Sequence, residues 1–162
     1  MANWIAQRNE LLGKAVIANL AKRNMEGYYC ATKEEALQKA LELIPETDVV
    51  TWGGSVSIDE IGLLDAVKER NPVIDRDTAA TMEEKVEMMR KGLTCDTFLM
   101  STNAMSEDGI LVNIDGNGNR VASLIFGPKQ VVIIAGVNKI TKDLDSAIAR
   151  ARGTAAPVNA QR

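Results

Sequence analysis

The chain repeats one instruction: a short apolar run, a glycine or polar turn, then a capped amphipathic helix. Asp48-Val49-Val50-Thr51-Trp52 is such a run, and it leads through Gly53-Gly54-Ser55 into Ser57-Ile58-Asp59-Glu60. Ser57 and Glu60 have the spacing of a capping box, and Ile61, Leu64, Ala66 and Val67 give the following stretch, residues 58–70, one apolar face. The same alternation predicts strands at residues 27–31, 72–75, 96–101 and 130–135. It predicts helices at residues 33–43, opened by Thr32 with Glu35, at 82–91, opened by Thr81 and closed by a left-handed Gly92, and from Thr141 to 152. Residues 3–24 read as a leading amphipathic helix capped by Asn3, which covers the sheet or pairs with another copy of itself. Strands alternating with helices predict an α/β fold with a mostly parallel sheet flanked by helices. The unbroken apolar run Val131-Val132-Ile133-Ile134 predicts a central strand, buried on both faces.

One stretch departs from this rhythm. Residues 103–120 hold Gly109, Gly116 and Gly118, each preceded by Asp or Asn, which is strong turn chemistry. Asp108-Gly109 turns the chain into a short strand at residues 110–114, and Asp115-Gly116-Asn117-Gly118 turns it back into a second at residues 120–126. The expectation is an antiparallel hairpin insertion whose mouth holds Asn103, Ser106, Glu107, Asp108, Asn119 and Arg120.

The totals bound what such a fold does. At 162 residues one domain is expected, residues 1–152, with residues 153–162 as a tail. With 46% apolar and 25% charged residues the composition is that of an ordinary globular protein. The 19 basic and 22 acidic side chains leave a net charge of −3, which gives no field for nucleic acid or an anionic membrane. No apolar stretch is long enough to span a bilayer, and no secretory signal opens the chain, so a cytoplasmic protein is expected. Cys30 and Cys95 fit no metal or redox spacing and read as buried thiols. With no histidine in the chain, acid–base work falls to Asp, Glu, Lys, Tyr or Cys. No cofactor motif is identifiable.

In open parallel sheets ligands bind beyond the carboxyl ends of the strands. The residues expected there are Ala31-Thr32, Gly53-Gly54-Ser55, Arg76-Asp77, Thr102-Asn103 and Asn138-Lys139, a rim rich in glycine and polar groups. Gly53-Gly54-Ser55 before a helix suits a phosphate or carboxylate, or equally tight strand–helix packing. It lacks the Lys-Ser or Lys-Thr of a P-loop and is not the dinucleotide fingerprint, which Gly116-Asn117-Gly118 also fails. Lys139 suits an anion or plain solvation. Arg120 suits a carboxylate clamp, or an ion pair with Asp108 or Asp115. Glu107 and Asp108 suit proton transfer, or the making of a turn.

Thr51-Trp52-Gly53-Gly54-Ser55, the stretch from Asn103 to Gly109, Asp115-Gly116-Asn117-Gly118-Asn119-Arg120, Gly127-Pro128-Lys129 and Gly136-Val137-Asn138-Lys139, in that order, resemble the LUD-domain family, the lactate-utilisation proteins of the C (YkgG-like) type. The resemblance implies a fold similar to the sugar-isomerase/CoA-transferase-like (NagB/RpiA/CoA transferase) superfamily. It also implies a role in L-lactate use as a partner of an iron–sulfur oxidoreductase system that takes lactate to pyruvate. Longer relatives continue into a cysteine-bearing segment, whereas two isolated cysteines build no iron–sulfur cluster here. The leading expectation is an accessory or regulatory protein that binds a small anionic metabolite through Gly53, Gly54, Ser55, Asn103, Ser106, Asn119, Arg120, Asn138 and Lys139. The alternative is a stand-alone enzyme acting on a phosphorylated sugar or acyl-CoA, with Glu107 or Asp108 as general base. A dimerising module is the third.

Overall fold

The computed structural model describes residues 3–161. The chain divides into two compact units. The first gathers the described residues of Met1–Ala36, Thr102–Ile114 and Ala135–Arg162, and the second Leu37–Ser101 and Asp115–Ile134.

The second unit carries the parallel sheet. Strands β1 (Val50–Trp52), β2 (Thr97–Met100) and β5 (Gln130–Ile133) lie in the order β1-β2-β5, all parallel. Val73 adds a single parallel bridge to Val50, all that forms of the strand expected at residues 72–75. The central strand is β2, buried throughout, and not β5 as its apolar run suggested. The pleat divides β2 between two cores. Leu99 joins Val50, Trp52 and Val132 against Ala40, Ile44, Ile58, Leu63 and Val67. Phe98 and Met100 face the other way, with Cys95, Val131, Ile133 and Leu124. The first core is closed by helices α2 (Lys33–Leu43), α3 (Val56–Glu60) and α4 (Leu63–Arg70), and the second by α6 (Asn119–Ile125). Helix α5 (Met82–Lys91) is capped by Thr81, whose oxygen accepts the Glu84 N–H at 3.1 Å.

Three local expectations for this unit change. The helix expected over residues 58–70 is two helices, because Gly62 takes a left-handed φ of +74° between α3 and α4. The cap of α3 is Ser55 and not Ser57, which lies inside the helix. Gly92 is not left-handed: its φ is −60°, and its smallness serves Thr51, whose methyl would lie 3.0 Å from a Cβ there.

The largest change is at residues 120–126, which form α6 and not the return strand of a hairpin. Gly118, left-handed at φ +76°, stands at the helix start. The Asp115 carboxylate accepts the Val121 N–H at 2.7 Å, satisfying one of the donors that every helix start leaves open.

In the first unit, α1 (Trp4–Ala21) begins at Asn3, whose side chain accepts the Ala6 N–H at 3.1 Å. Strands β3 (Ala104–Ser106) and β4 (Leu111–Val112) make an antiparallel hairpin, one strand earlier than the one expected between residues 110–114 and 120–126, and β6 (Ile140–Thr141) pairs parallel with β3. Ala104, Val112, Ala147 and Ala151 bring α7 (Leu144–Arg150) onto this small sheet. Thr141 belongs to β6, and α7 is capped instead by Asp143, which accepts the Ser146 N–H at 2.8 Å. Beyond α7 the chain stays helical, through a π-helical turn at Ala151–Ala155 and α8 at Ala156–Asn159. No strand forms at residues 27–31. There Tyr29 lays its ring on Gly13 of α1, where a Cβ would come within 2.5 Å of the ring.

Among the described residues no helix is long and apolar enough to cross a membrane.

Candidate functional site

The residues singled out from the sequence fall into both units. In the second unit they cluster at the carboxyl edge of the parallel sheet. Gly53-Gly54-Ser55 follows β1 directly, with the Gly53 N–H donating to the Leu99 carbonyl at 2.9 Å. Ser55 Oγ accepts the Ile58 N–H at 3.4 Å. Two arginines lie along the glycines. A Cβ on Gly53 would stand 3.0 Å from Cδ of Arg120, and one on Gly54 would stand 3.5 Å from a terminal nitrogen of Arg76. At Gly53 a side chain would crowd Arg120, whereas at Gly54 a Cβ would make only an ordinary contact with Arg76.

The two arginines differ in what neutralises them. Arg120 donates through Nε to Asp115 Oδ1 at 2.8 Å and holds a second contact to the same oxygen at 2.7 Å. It also donates to the Ser101 carbonyl at 2.8 Å, just past the end of β2. The expected pair with Asp115 is formed. Asn119 begins α6, and its carbonyl accepts the Ser123 hydroxyl at 2.9 Å.

Arg76 has acidic neighbours on both sides in sequence, but each is engaged elsewhere. Asp75 pairs with Lys68 at 2.8 Å, and Asp77 with Lys85 at 3.3 Å. Burial pushes the Asp75 carboxyl up. The Lys68 hydrogen bond, the Asp77 N–H and the Lys68 and Arg76 charges outweigh it, and the pKa lies below the ordinary value. Nε of Arg76 is buried with no hydrogen-bond partner. Sequence reasoning reached Arg76 only as the residue after a short apolar run. The available signal was that position, at the carboxyl end of a strand beside a glycine turn.

In the first unit the hairpin turn is built by Ser106 and its neighbours. The Ser106 hydroxyl donates to Asp108 Oδ1 and accepts the Ile110 N–H at 3.1 Å. Asp108 also meets Arg23 at 3.4 Å, and Glu107 pairs with Lys142 at 2.7 Å, which raises the Lys142 pKa. Both carboxylates proposed for proton transfer thus hold cations. Asn103 accepts the Ile114 N–H at 3.0 Å, and its carbonyl accepts from Arg150, which also donates to the Asn138 carbonyl at 3.2 Å. Arg150 therefore ties together two segments chosen from the sequence, although its place in a helix gave no signal of this. Lys139 is half-buried at the end of a short 3-10 turn, Val137–Lys139.

The chemistry on offer is cationic and hydrogen-bonding. Among the described residues no group of three or more cysteines or carboxylates is placed to hold a metal ion. Cys95 is buried, and burial, the largest influence on it, pushes its thiol up to about 11, leaving it protonated and unreactive at neutral pH.

No curated protein and no solved structure matches the chain. A family model described as LUD domain matches residues 13–162, nearly the whole chain, and the protein belongs to the LUD-domain family.

Proposed function

We propose that this protein serves L-lactate utilisation, the oxidation of lactate to pyruvate, as an accessory or regulatory partner of an iron–sulfur oxidoreductase system. In this reading it holds a small anionic metabolite at the turn after β1. Family membership supports the pathway. One observation carries the ligand: Arg76 beside Gly54, with its Nε buried and unsatisfied. A buried donor left without a partner costs about 1–3 kcal/mol. A carboxylate answers that cost, because a guanidinium edge receives both its oxygens at once when the side chain turns that edge toward the ligand. Lactate and pyruvate each carry one carboxylate. The remaining members of the proposed site are Gly53, Gly54 and Ser55 on the turn, with Asn119 and Arg120 at the start of α6. Asn103, Ser106, Asn138 and Lys139, which the sequence also put forward as ligand contacts, belong to the first unit and are not part of this turn.

The pathway is tested in the native host. A deletion strain is expected to grow slowly on L-lactate and normally on glucose, and the tagged protein is expected to bring down iron–sulfur subunits. Normal growth on lactate together with recovery of the tagged protein alone would remove the lactate assignment.

A further inference from the structure

Helix α1 has two apolar stripes on opposite sides. One is used: Gly13 and Val16 are buried, and Tyr29 packs on Gly13. The other faces solvent. Trp4, Leu11 and Ala18 recur at seven-residue spacing, and Ala15 sits one turn beyond Leu11. Trp4 is 74% exposed and Leu11 70%. Single exposed apolar residues need no explanation, but a bulky pair aligned along one face with two alanines is a surface shaped to be covered.

We propose that this stripe is covered by the same helix of a second copy, running antiparallel across a two-fold axis. The stripe is self-complementary in shape. It is bulky at its start and small at its end, so an antiparallel partner lays each Trp4 beside the other's Ala18. A parallel partner would stack bulk on bulk and leave a gap over the alanines. The stripe is also self-complementary in charge. Glu10 and Lys14 lie one turn apart on the same flank and already pair within the helix at 2.6 Å. In an antiparallel pair each flank meets the same flank of its partner. The register that seats Leu11 between the partner's Leu11 and Ala15 brings Glu10 over the partner's Lys14, and the reverse, by symmetry. It also sets Trp4 near the partner's Lys22, within reach of a cation–π contact. No like charges meet on that flank.

With one helix from each copy, this interface belongs to the small, weaker class, so the monomer–dimer equilibrium must be followed across concentration. Sedimentation equilibrium on the full chain measures it. The wild type is expected to dimerise reversibly, and Leu11→Ala to weaken dimerisation by about tenfold, as for a central apolar contact. Glu10→Lys turns two attractions into repulsions and is expected to weaken it by a similar, roughly tenfold factor. Glu10→Lys combined with Lys14→Glu restores the pairing and is expected to return the constant close to that of the wild type. Circular dichroism checks that each variant keeps its helix content. A wild type that stays monomeric at every concentration overturns the proposal. So does a dimer indifferent to Leu11→Ala and Glu10→Lys, or a double exchange that fails to restore association.

Discussion

Asp115→Ala is expected to lower stability by about 3–5 kcal/mol, the cost of leaving a buried charge without its partner. The side chains of Arg120 and Asp115 are 12% and 9% exposed, so water reaches the freed guanidinium poorly. The same carboxylate accepts the Val121 N–H at 2.7 Å, and its loss also strips a cap from α6. At roughly 2–4 °C per kcal/mol for a chain of this size, the thermal midpoint falls by roughly 6–20 °C. Asp115→Asn keeps an acceptor for Val121 and removes only the charge, so it falls between the two. Removing both charges, as Asp115→Leu with Arg120→Met, is expected to recover most of the loss, because a buried pair is costly mainly when broken on one side. If Asp115→Ala costs less than about 1 kcal/mol in urea unfolding, the magnitude of a surface pair, then this pair does not anchor α6 as described.

Gly109→Ala is the second large effect, about 2–5 kcal/mol. Two costs add. Gly109 has a φ of +84°, where a side chain costs about 1–2 kcal/mol. A Cβ there would also stand 3.1 Å from the backbone of Asn19 and Leu20 in α1, and overpacking of this kind costs about 1–3 kcal/mol. The neighbouring contacts explain why the turn cannot simply move away: Asn19 donates to the Glu107 carbonyl at 2.9 Å and Arg23 to the Asp108 carbonyl at 3.1 Å. Gly62 supplies the control. Its φ is +74°, but a Cβ there would meet nothing within 4 Å, so Gly62→Ala is expected to cost only the backbone strain. Equal losses for Gly62→Ala and Gly109→Ala would mean that the hairpin turn does not press on α1.

These two sites also mark where the sequence could and could not be read. Local chemistry was legible where it acts alone. Asn3 and Thr81 cap the helices they precede, and the apolar run at residues 96–101 forms β2. It was not legible where one distant group decides. Residues 120–126 carry the apolar content of a strand, yet an upstream carboxylate on the Val121 N–H and a left-handed Gly118 make them a helix. The apolar run of β5 pointed to a central strand, but centrality is a matter of topology, and β2 took that place. Of the candidate site, Gly53-Gly54-Ser55 was legible as a strand-to-helix turn. Arg76 was legible only as a residue of the rim; that its Nε is buried without a hydrogen-bond partner while Asp75 and Asp77 pair with lysines depends on distant groups.

The decisive measurement is a thermal-shift titration of the wild type and Arg76→Gln with L-lactate, pyruvate and inorganic phosphate. A ligand at 100 times its dissociation constant adds about 2.7 kcal/mol, which raises the midpoint by roughly 5–11 °C. If the turn after β1 holds a small carboxylate, lactate or pyruvate shifts the wild type and leaves Arg76→Gln where it was. No shift with any of the three anions, or the same shift in both proteins, would contradict an anion site at Arg76.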